Sequence, residues 1–455
     1  MILLLMVAAG AGLLVFAAVV PLIGLWRALC LVLLAALALA PYPLTTTRLP
    51  QVHYGITDGI FIPMTYSIAL AAIVVAALRD RAVRLSLVFA AGFLVYVSIL
   101  TVMLWGNTAA QWSGNVHLIT ALLAVGVGGA IGRSMLTDRK LRLLWVSTAL
   151  GILLMQLLLG VAQLAGIPVS LFTNEVNHFI PELRAIGSFN HPSVIGKTVL
   201  VLLIMVLPFT RDSSKWIARI AWAVILVGIV ATTLTQARSN IAAVLVAVVL
   251  WVLFDNRRSI KGRLIAAALA AVAAVPFALL VIPRFLSDPG GGDRAELLGT
   301  GLKQIASAPW FGIGPNSYSA VVGVGDSLAA EGFPVHNAAL LAVAELGAIG
   351  AMMVFVPVAW QYVSAVRSWP KTGFAHGAAV ATFVTLPGLA LVTMTGWGML
   401  SEGSLVLWYL AIGFSIGVMN QTVKPTVLAA SSMADPLSLF SKARCDSRSA
   451  GRRTK

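Results

Sequence analysis

The chain is built from apolar runs, most of them close to twenty residues long, that recur between short polar breaks. Nothing else constrains its fold so strongly. Hydrocarbon offers no water to hydrogen-bond the backbone, so a segment that crosses it must satisfy its own N–H and C=O groups. That takes about 20 apolar residues in a helix for ~30 Å. Apolar residues fill 59% of the 455 positions and charged residues 10%, whereas a soluble domain carries about 25% charged residues. The expected fold is all-α, a polytopic transmembrane helical bundle of about 12–13 spans. The runs place spans near 2–24, 28–41, 58–78, 85–105, 117–137, 143–166, 192–210, 217–236, 239–255, 264–283, 337–364, 374–396 and 402–421. The start, Met1–Val20, has no basic leader and reads as a retained span.

The net charge of +15 would suit nucleic acid, but its placement argues for a membrane and against nucleic acid as a partner. Lysines and arginines gather in alternate loops, around 79–84, 139–142, 211–219, 257–263 and 367–371, and in the tail. By the positive-inside rule that set is cytoplasmic. The C-terminus is then inside, and with thirteen spans the N-terminus is outside. The Ser-, Ala- and Arg-rich tail after Gln421 reads as disordered and resting on anionic lipid. Cys30 and Cys445 have no spacing partner, so neither a disulfide nor a cysteine metal site is expected.

Two outer loops are long, 166–191 and about 284–335. Long loops in a compact membrane protein are functional or disordered, and the second has internal order. After Gly290–Gly292, Arg294 and Glu296 open a helix with Leu298, Leu302 and Ile305 in one stripe. Pro309-Trp310-Phe311-Gly312-Ile313-Gly314-Pro315 then makes a tight turn. The helix is expected to lie at the membrane surface and cap the bundle.

Cations on an outer face poor in them are informative. Arg238 stands between two spans with almost no loop. It either snorkels from a helix end or binds an anion. Arg184 leads into a span and either pairs with Glu182 or joins Arg238 and Arg294 around one anion, where guanidinium groups suit phosphate. Lys303 and Lys197 are further outer cations. His336, with Asn337 beside it, opens a span and can move a proton near neutral pH. Glu345 lies nine residues deeper, either in a functional role or in a structural hydrogen bond. Gly347 and Gly350 share a helix face and would allow close packing. The outer histidines His53, His117, His178 and His191 show no metal-ligand spacing, so no metal or other cofactor is expected.

Four of these segments in series resemble the signature of the O-antigen ligase and polymerase superfamily. They are Arg184-x-x-Gly187 running into Asn190-His191-Pro192, the Thr235–Arg238 segment, Arg294 opening a loop helix that ends Pro309-x-x-Gly312-x-Gly314, and His336-Asn337-x9-Gly347-x-x-Gly350. The chain departs from the pattern at Ser193, where Asn is frequent, and at Ala237, where Ser is common. The resemblance covers roughly 180–365. It divides the chain into N-terminal helices 1–166, a core 167–366 with a periplasmic loop 284–335, C-terminal helices 367–421 and a cytoplasmic tail 422–455. It implies a metal-independent, inverting glycosyltransferase of the bacterial inner membrane, working at the periplasmic face. Its donor would be a glycan on undecaprenyl pyrophosphate, and its acceptor another glycan or lipid A–core. Arg184, Arg238 and Arg294 would stabilise the leaving pyrophosphate, and His336 would activate or orient the acceptor hydroxyl. Asn337, Lys303, His191 and Glu345 would contact substrate. A transporter or flippase of lipid-linked saccharides is the competing class. It would couple through intramembrane carboxylates and broken helices.

Overall fold

A helix buried in lipid gains nothing by hiding apolar side chains from its neighbours, so its contacts must come from close backbone approach and from polar pairing. Both are found in the computed structural model, which describes residues 20–39, 64–167, 169, 184–189, 191–254, 260–262, 264–265 and 292–420. Most of the expected span 2–24, nearly all of 264–283, the stretch 284–291 and the tail lie outside the described residues, as do His53, His178, Glu182 and Asn190. Residues Met1–Asn420 form one compact unit.

The described residues form helices and no strands. In chain order these are α1 (Leu25–Leu39), α2 (Met64–Arg79), α3 (Arg81–Met103), α4 (Ala109–Thr137), α5 (Arg139–Leu164), α6 (Pro192–Val206, continued by a 3-10 turn to Arg211), α7 (Lys215–Leu234) and α8 (Arg238–Leu253). Then come α9 (Arg294–Ser307), the short α10 (Tyr318–Val322) and α11 (Ser327–Ala330), and finally α12 (Ala338–Ser368), α13 (Gly373–Thr395) and α14 (Glu402–Met419). Among the described residues, seven helices are long and apolar enough to cross a membrane, and four more are apolar but shorter. The chain is therefore an all-α, multi-pass membrane protein. Its layering follows from burial: 22% of the apolar stretch of α3 is buried, against 83% of Pro192–Arg211. The α6 helix lies in the interior of the bundle, as does α14, and α3 is at its rim, where Val88, Val95 and Met103 are exposed.

Local chemistry sets the helix ends. Thr108 and Gln111 make a capping box for α4, Asp138 caps α5, His191 caps α6 ahead of Pro192, and Asn337 caps α12. Each satisfies N–H groups that no helix can satisfy internally.

Two constraints hold the bundle laterally. Gly128 and Gly132 of α4 lie against the backbone of Leu410 and Phe414 in α14, Gly413 and Gly417 of α14 lie against that of Val125 and Gly129, and the two ridges interlock. A Cβ at Gly128 would overlap the Leu410 carbonyl, and one at Gly413 the Val125 carbonyl. The basic end is stapled by ion pairs. Arg27 meets Asp138 at 2.7 Å, Arg133 donates to Asp80 at 2.7 Å, and Arg142 lies 2.9 Å from the fully buried Asp212 carboxylate.

The glycine interlock leads to a direct test. Gly128→Leu is expected to destabilise the protein by about 3 kcal/mol or more, since overpacked cores lose that much. Gly151→Leu, at a site with open space around it, should be near neutral. Thermal unfolding in detergent compares the two, and equal melting temperatures would contradict the interlock.

Candidate functional site

The polar end of the bundle opposite the staples is organised by one broken helix. α12 carries a non-helical residue, Gly347, with φ +67° and ψ 177°. An L side chain is strained at that φ, so only glycine breaks the helix there cheaply. The sequence pattern suggested a continuous helix with Gly347 and Gly350 as packing surfaces. Instead Gly347 interrupts it, and the Pro309–Pro315 turn fills the gap. Ile313 and Gly314 donate to the carbonyls of Ala344 and Glu345 at 3.3 and 2.7 Å. Ala348 and Ile349 donate to the carbonyls of Pro309 and Trp310 at 2.8 and 3.3 Å. Gly312, also at positive φ, lies against the Glu345 backbone so closely that a Cβ would overlap it. The far side of the turn is held by α4 and its approach. The Trp105 indole donates to the Phe311 carbonyl at 3.0 Å, and Gln111 donates to the carbonyls of Trp105 and Ile313.

Glu345 completes this anchor. It is 4% exposed, and one carboxylate oxygen accepts from the Ser317 and Tyr318 N–H groups at 3.1 and 3.2 Å. Of the two roles expected for it, this is the structural hydrogen bond. It holds the chain as it enters α10.

The loop helix α9 is present, and Ile305 of its expected stripe packs against the core, but the first two positions are shifted by one residue. Leu297 and Gly301 are the buried pair, because Gly301 lets Val335 come within 3.0 Å of the Cβ position. Leu298 and Leu302 are exposed. Arg294 and Lys303 are exposed on this helix. Lys303 is within electrostatic reach of Asp326, which also accepts from Thr300 at 2.7 Å.

A second non-helical segment, 184–189, is clamped by two glutamines of α5, seven residues apart on one face. Gln163 accepts from Ile186 and Gly187 and donates to the Gly187 carbonyl. Gln156 accepts from the Ser188 N–H and donates to its hydroxyl. Irregular backbone at this depth requires such partners. The clamp sets Arg184, 7% exposed, beside the α7–α8 turn, where its Nε donates to the Thr235 carbonyl at 3.2 Å. That turn passes through Gln236 at φ +51° and delivers Arg238 as the first residue of α8. One turn on, Asn240 donates to the Ser193 carbonyl at 2.6 Å, locking the start of α8 to the start of α6.

Ser193 leads on to the next cation. His191 Nδ1 accepts from the Ser193 N–H at 3.1 Å, so its proton resides on Nε2. Ser193 Oγ lies 2.8 Å from that Nδ1 and accepts from Lys197 Nζ at 3.0 Å. Lys197 and Arg294 both act electrostatically on His336. His336 Nδ1 lies 3.1 Å from the Pro334 carbonyl. A carbonyl can only accept, so Nδ1 carries the proton and Nε2 offers a lone pair. Burial, with Arg294 and Lys197 as further causes, lowers the pKa of His336 from its ordinary value. Beside it, the Asn337 side chain accepts from Leu340 N–H as the helix cap.

Hydrogen bonds thus tie Arg184 to the α7–α8 turn that delivers Arg238, and tie Asn240 of α8 through Ser193 to Lys197, while Lys197 and Arg294 act electrostatically on His336. Lys303 and Glu345 are engaged elsewhere, with Asp326 and with the α10 entry. Sequence reasoning passed over Gln156 and Gln163, and noted Ser193 only as a departure from the family pattern. The legible signal was the two glutamines within one span.

Two outcomes follow. Gly347→Ala should expel the turn, costing about 1–2 kcal/mol in backbone strain alone and more through overlap with Trp310. Hydrogen exchange should show amide protection lost at 312–314, and wild-type protection there would contradict this account. The lowered His336 pKa means that the unfolded chain binds more protons in the window below about 6.5. The histidine's contribution to stability is then complete above that pH and lost as pH falls through the folded pKa. Arg294→Gln removes one cation and should move the titration of His336 upward, read from the pH dependence of its modification by diethylpyrocarbonate.

Comparison with known families bears on the same residues. Residues 198–355 match the family model described as O-Antigen ligase. That segment includes Arg238, Arg294, Lys303, His336, Asn337 and Glu345, while Arg184 and His191 precede it. No curated protein matches the chain. The matched segment, about a third of the chain, is similar to the O-antigen ligase family and supports the resemblance to the O-antigen ligase/polymerase superfamily.

Proposed function

We propose that the protein is a glycosyltransferase that moves a glycan from undecaprenyl pyrophosphate to an acceptor hydroxyl at the periplasmic face of a bacterial inner membrane. The observation that carries the reading is the string of cations, from four chain segments, that leads to a neutral, proton-accepting histidine. Helices α6, α8 and α12 begin in this region, and helix N-termini favour anions. In the reaction the acceptor oxygen attacks the anomeric carbon. The bond from that carbon to the pyrophosphate oxygen breaks, and its electron pair leaves with the phosphate. The hydroxyl proton passes to His336 Nε2. Arg184, Arg238 and Arg294 meet the charge that develops on the leaving group. Fixed charges aimed at such a group supply the greater part of the rate enhancement in many enzymes. Burial favours the neutral form of His336, which suits a base near neutral pH.

The tie between Arg184 and the Arg238 turn supports assigning both to one anion. The broken α12 does not favour a transporter. The backbone groups freed beside Gly347 are taken by the Pro309–Pro315 turn, whereas a transporter leaves such groups to line an ion site.

Membranes carrying Arg294→Ala or His336→Ala should contain normal amounts of protein and no assembled glycan, with transfer slowed roughly a hundredfold to a thousandfold. Normal glycan in both variants would overturn the reading. A gel of surface polysaccharide from a deletion strain separates the branches. Chains stopped at one repeat indicate a polymerase, and full polymer left on the lipid carrier indicates a ligase.

A further inference from the structure

Lys197 lies one residue before the family-matched segment, and no motif accounts for it. It sits on the second turn of α6, a helix buried along most of its length, and is 6% exposed. Lysines near a helix end ordinarily extend along the surface until the ammonium reaches water. Here Gly398, in the turn between α13 and α14, backs the ammonium so closely that a Cβ at 398 would overlap Nζ. That turn is fixed on both sides. The Gly398 carbonyl accepts from Ser401 Oγ at 2.7 Å, and His117 Nε2 donates to the Leu400 carbonyl at 2.9 Å.

The ammonium donates to Ser193 Oγ, and among the described residues it makes no ion pair. The acids Asp80, Asp138 and Asp212 are paired with arginines, and Glu345 is committed to backbone N–H groups. A buried cation to which the described residues offer no counter-ion is costly. An anion brought by a ligand relieves that cost.

We propose that Lys197 is an anion-binding residue of this site, its ammonium taking a phosphate oxygen of the leaving group while Ser193 and Gly398 hold it in place. The proposal rests on the lipid-pyrophosphate reading above. It adds a fourth cation to the three arginines and brings the α13–α14 turn into the site.

The test uses the full chain purified in detergent, titrated calorimetrically with inorganic pyrophosphate and with farnesyl pyrophosphate. Lys197→Met should melt at the wild-type temperature or above, since it removes a buried, uncompensated charge at similar volume. It should bind both probes roughly tenfold or more weakly, as truncation of a buried charged partner does. Gly398→Ala keeps the lysine but displaces its ammonium, and should weaken binding in the same direction. Tighter binding of the farnesyl form by the wild type supports a lipid-borne phosphate, and equal affinity for the two probes overturns that source. Unchanged affinity with a lowered melting temperature in Lys197→Met makes the residue structural and overturns the inference. If Arg294→Ala still abolishes glycan assembly in that case, the glycosyltransferase reading stands. Conversely, anion affinity lost with Lys197→Met, beside normal glycan in Arg294→Ala and His336→Ala, supports an anion site and removes the transferase reading.

Discussion

Backbone hydrogen bonding in the absence of water is the constraint on which this molecule depends. A helix that stops inside a membrane exposes donors and acceptors, each costing several kcal/mol if left bare. At Gly347 the chain stops being helical for one residue and offers those groups to a loop. The loop answers with its own backbone, from Pro309 to Gly314. Two strands of chain, more than thirty residues apart in sequence, thereby become one rigid object. The start of α12 and the end of α9 are fixed to each other, and with them the setting of His336 and Arg294.

The same solution recurs at Arg184–Phe189. There the partners are side chains, Gln156 and Gln163, and the result is a non-helical segment held beside the α7–α8 turn. Side chains that would be expensive alone become tolerable in combination: glutamine amides satisfy backbone, and backbone carbonyls satisfy an arginine. The site is assembled from irregular segments because regular helices leave few free polar groups to bind anything. The irregular segments exist because helices of the bundle carry polar residues that hold them.

Much of this was legible in the sequence because it follows from local rules. Apolar run length gives the helices, and loop charge gives the basic end, where Arg142 finds Asp212, although Arg27 and Arg133, which pair there with Asp138 and Asp80, lie outside the basic loops. The Pro309–Pro315 turn was visible from its glycines and prolines. What it docks into was not, since a pairing of backbone groups leaves no residue-type signature beyond the glycines that permit it. Gly347 and Gly350 read as a packing face because their spacing fits one, and the spacing alone carries no information about φ. The first two positions of the α9 stripe were misplaced by one residue for a related reason. Periodicity rates Leu298 above Gly301, whereas the contact with Val335 depends on the smaller residue. Glu345 was recognised as needing a partner, but the partner is backbone, which sequence does not announce.

The glycine interlock of α4 with α14 has a consequence for biogenesis. Val125–Gly132 is synthesised long before Leu410–Gly417, and at 5–20 residues per second the interval is on the order of half a minute. Through that time a bare glycine ridge in α4 has no permanent neighbour. The core of the bundle closes only when the last described helix arrives. The insertion machinery or lipid must occupy the groove until then, so the order of translation is itself part of how this fold is reached.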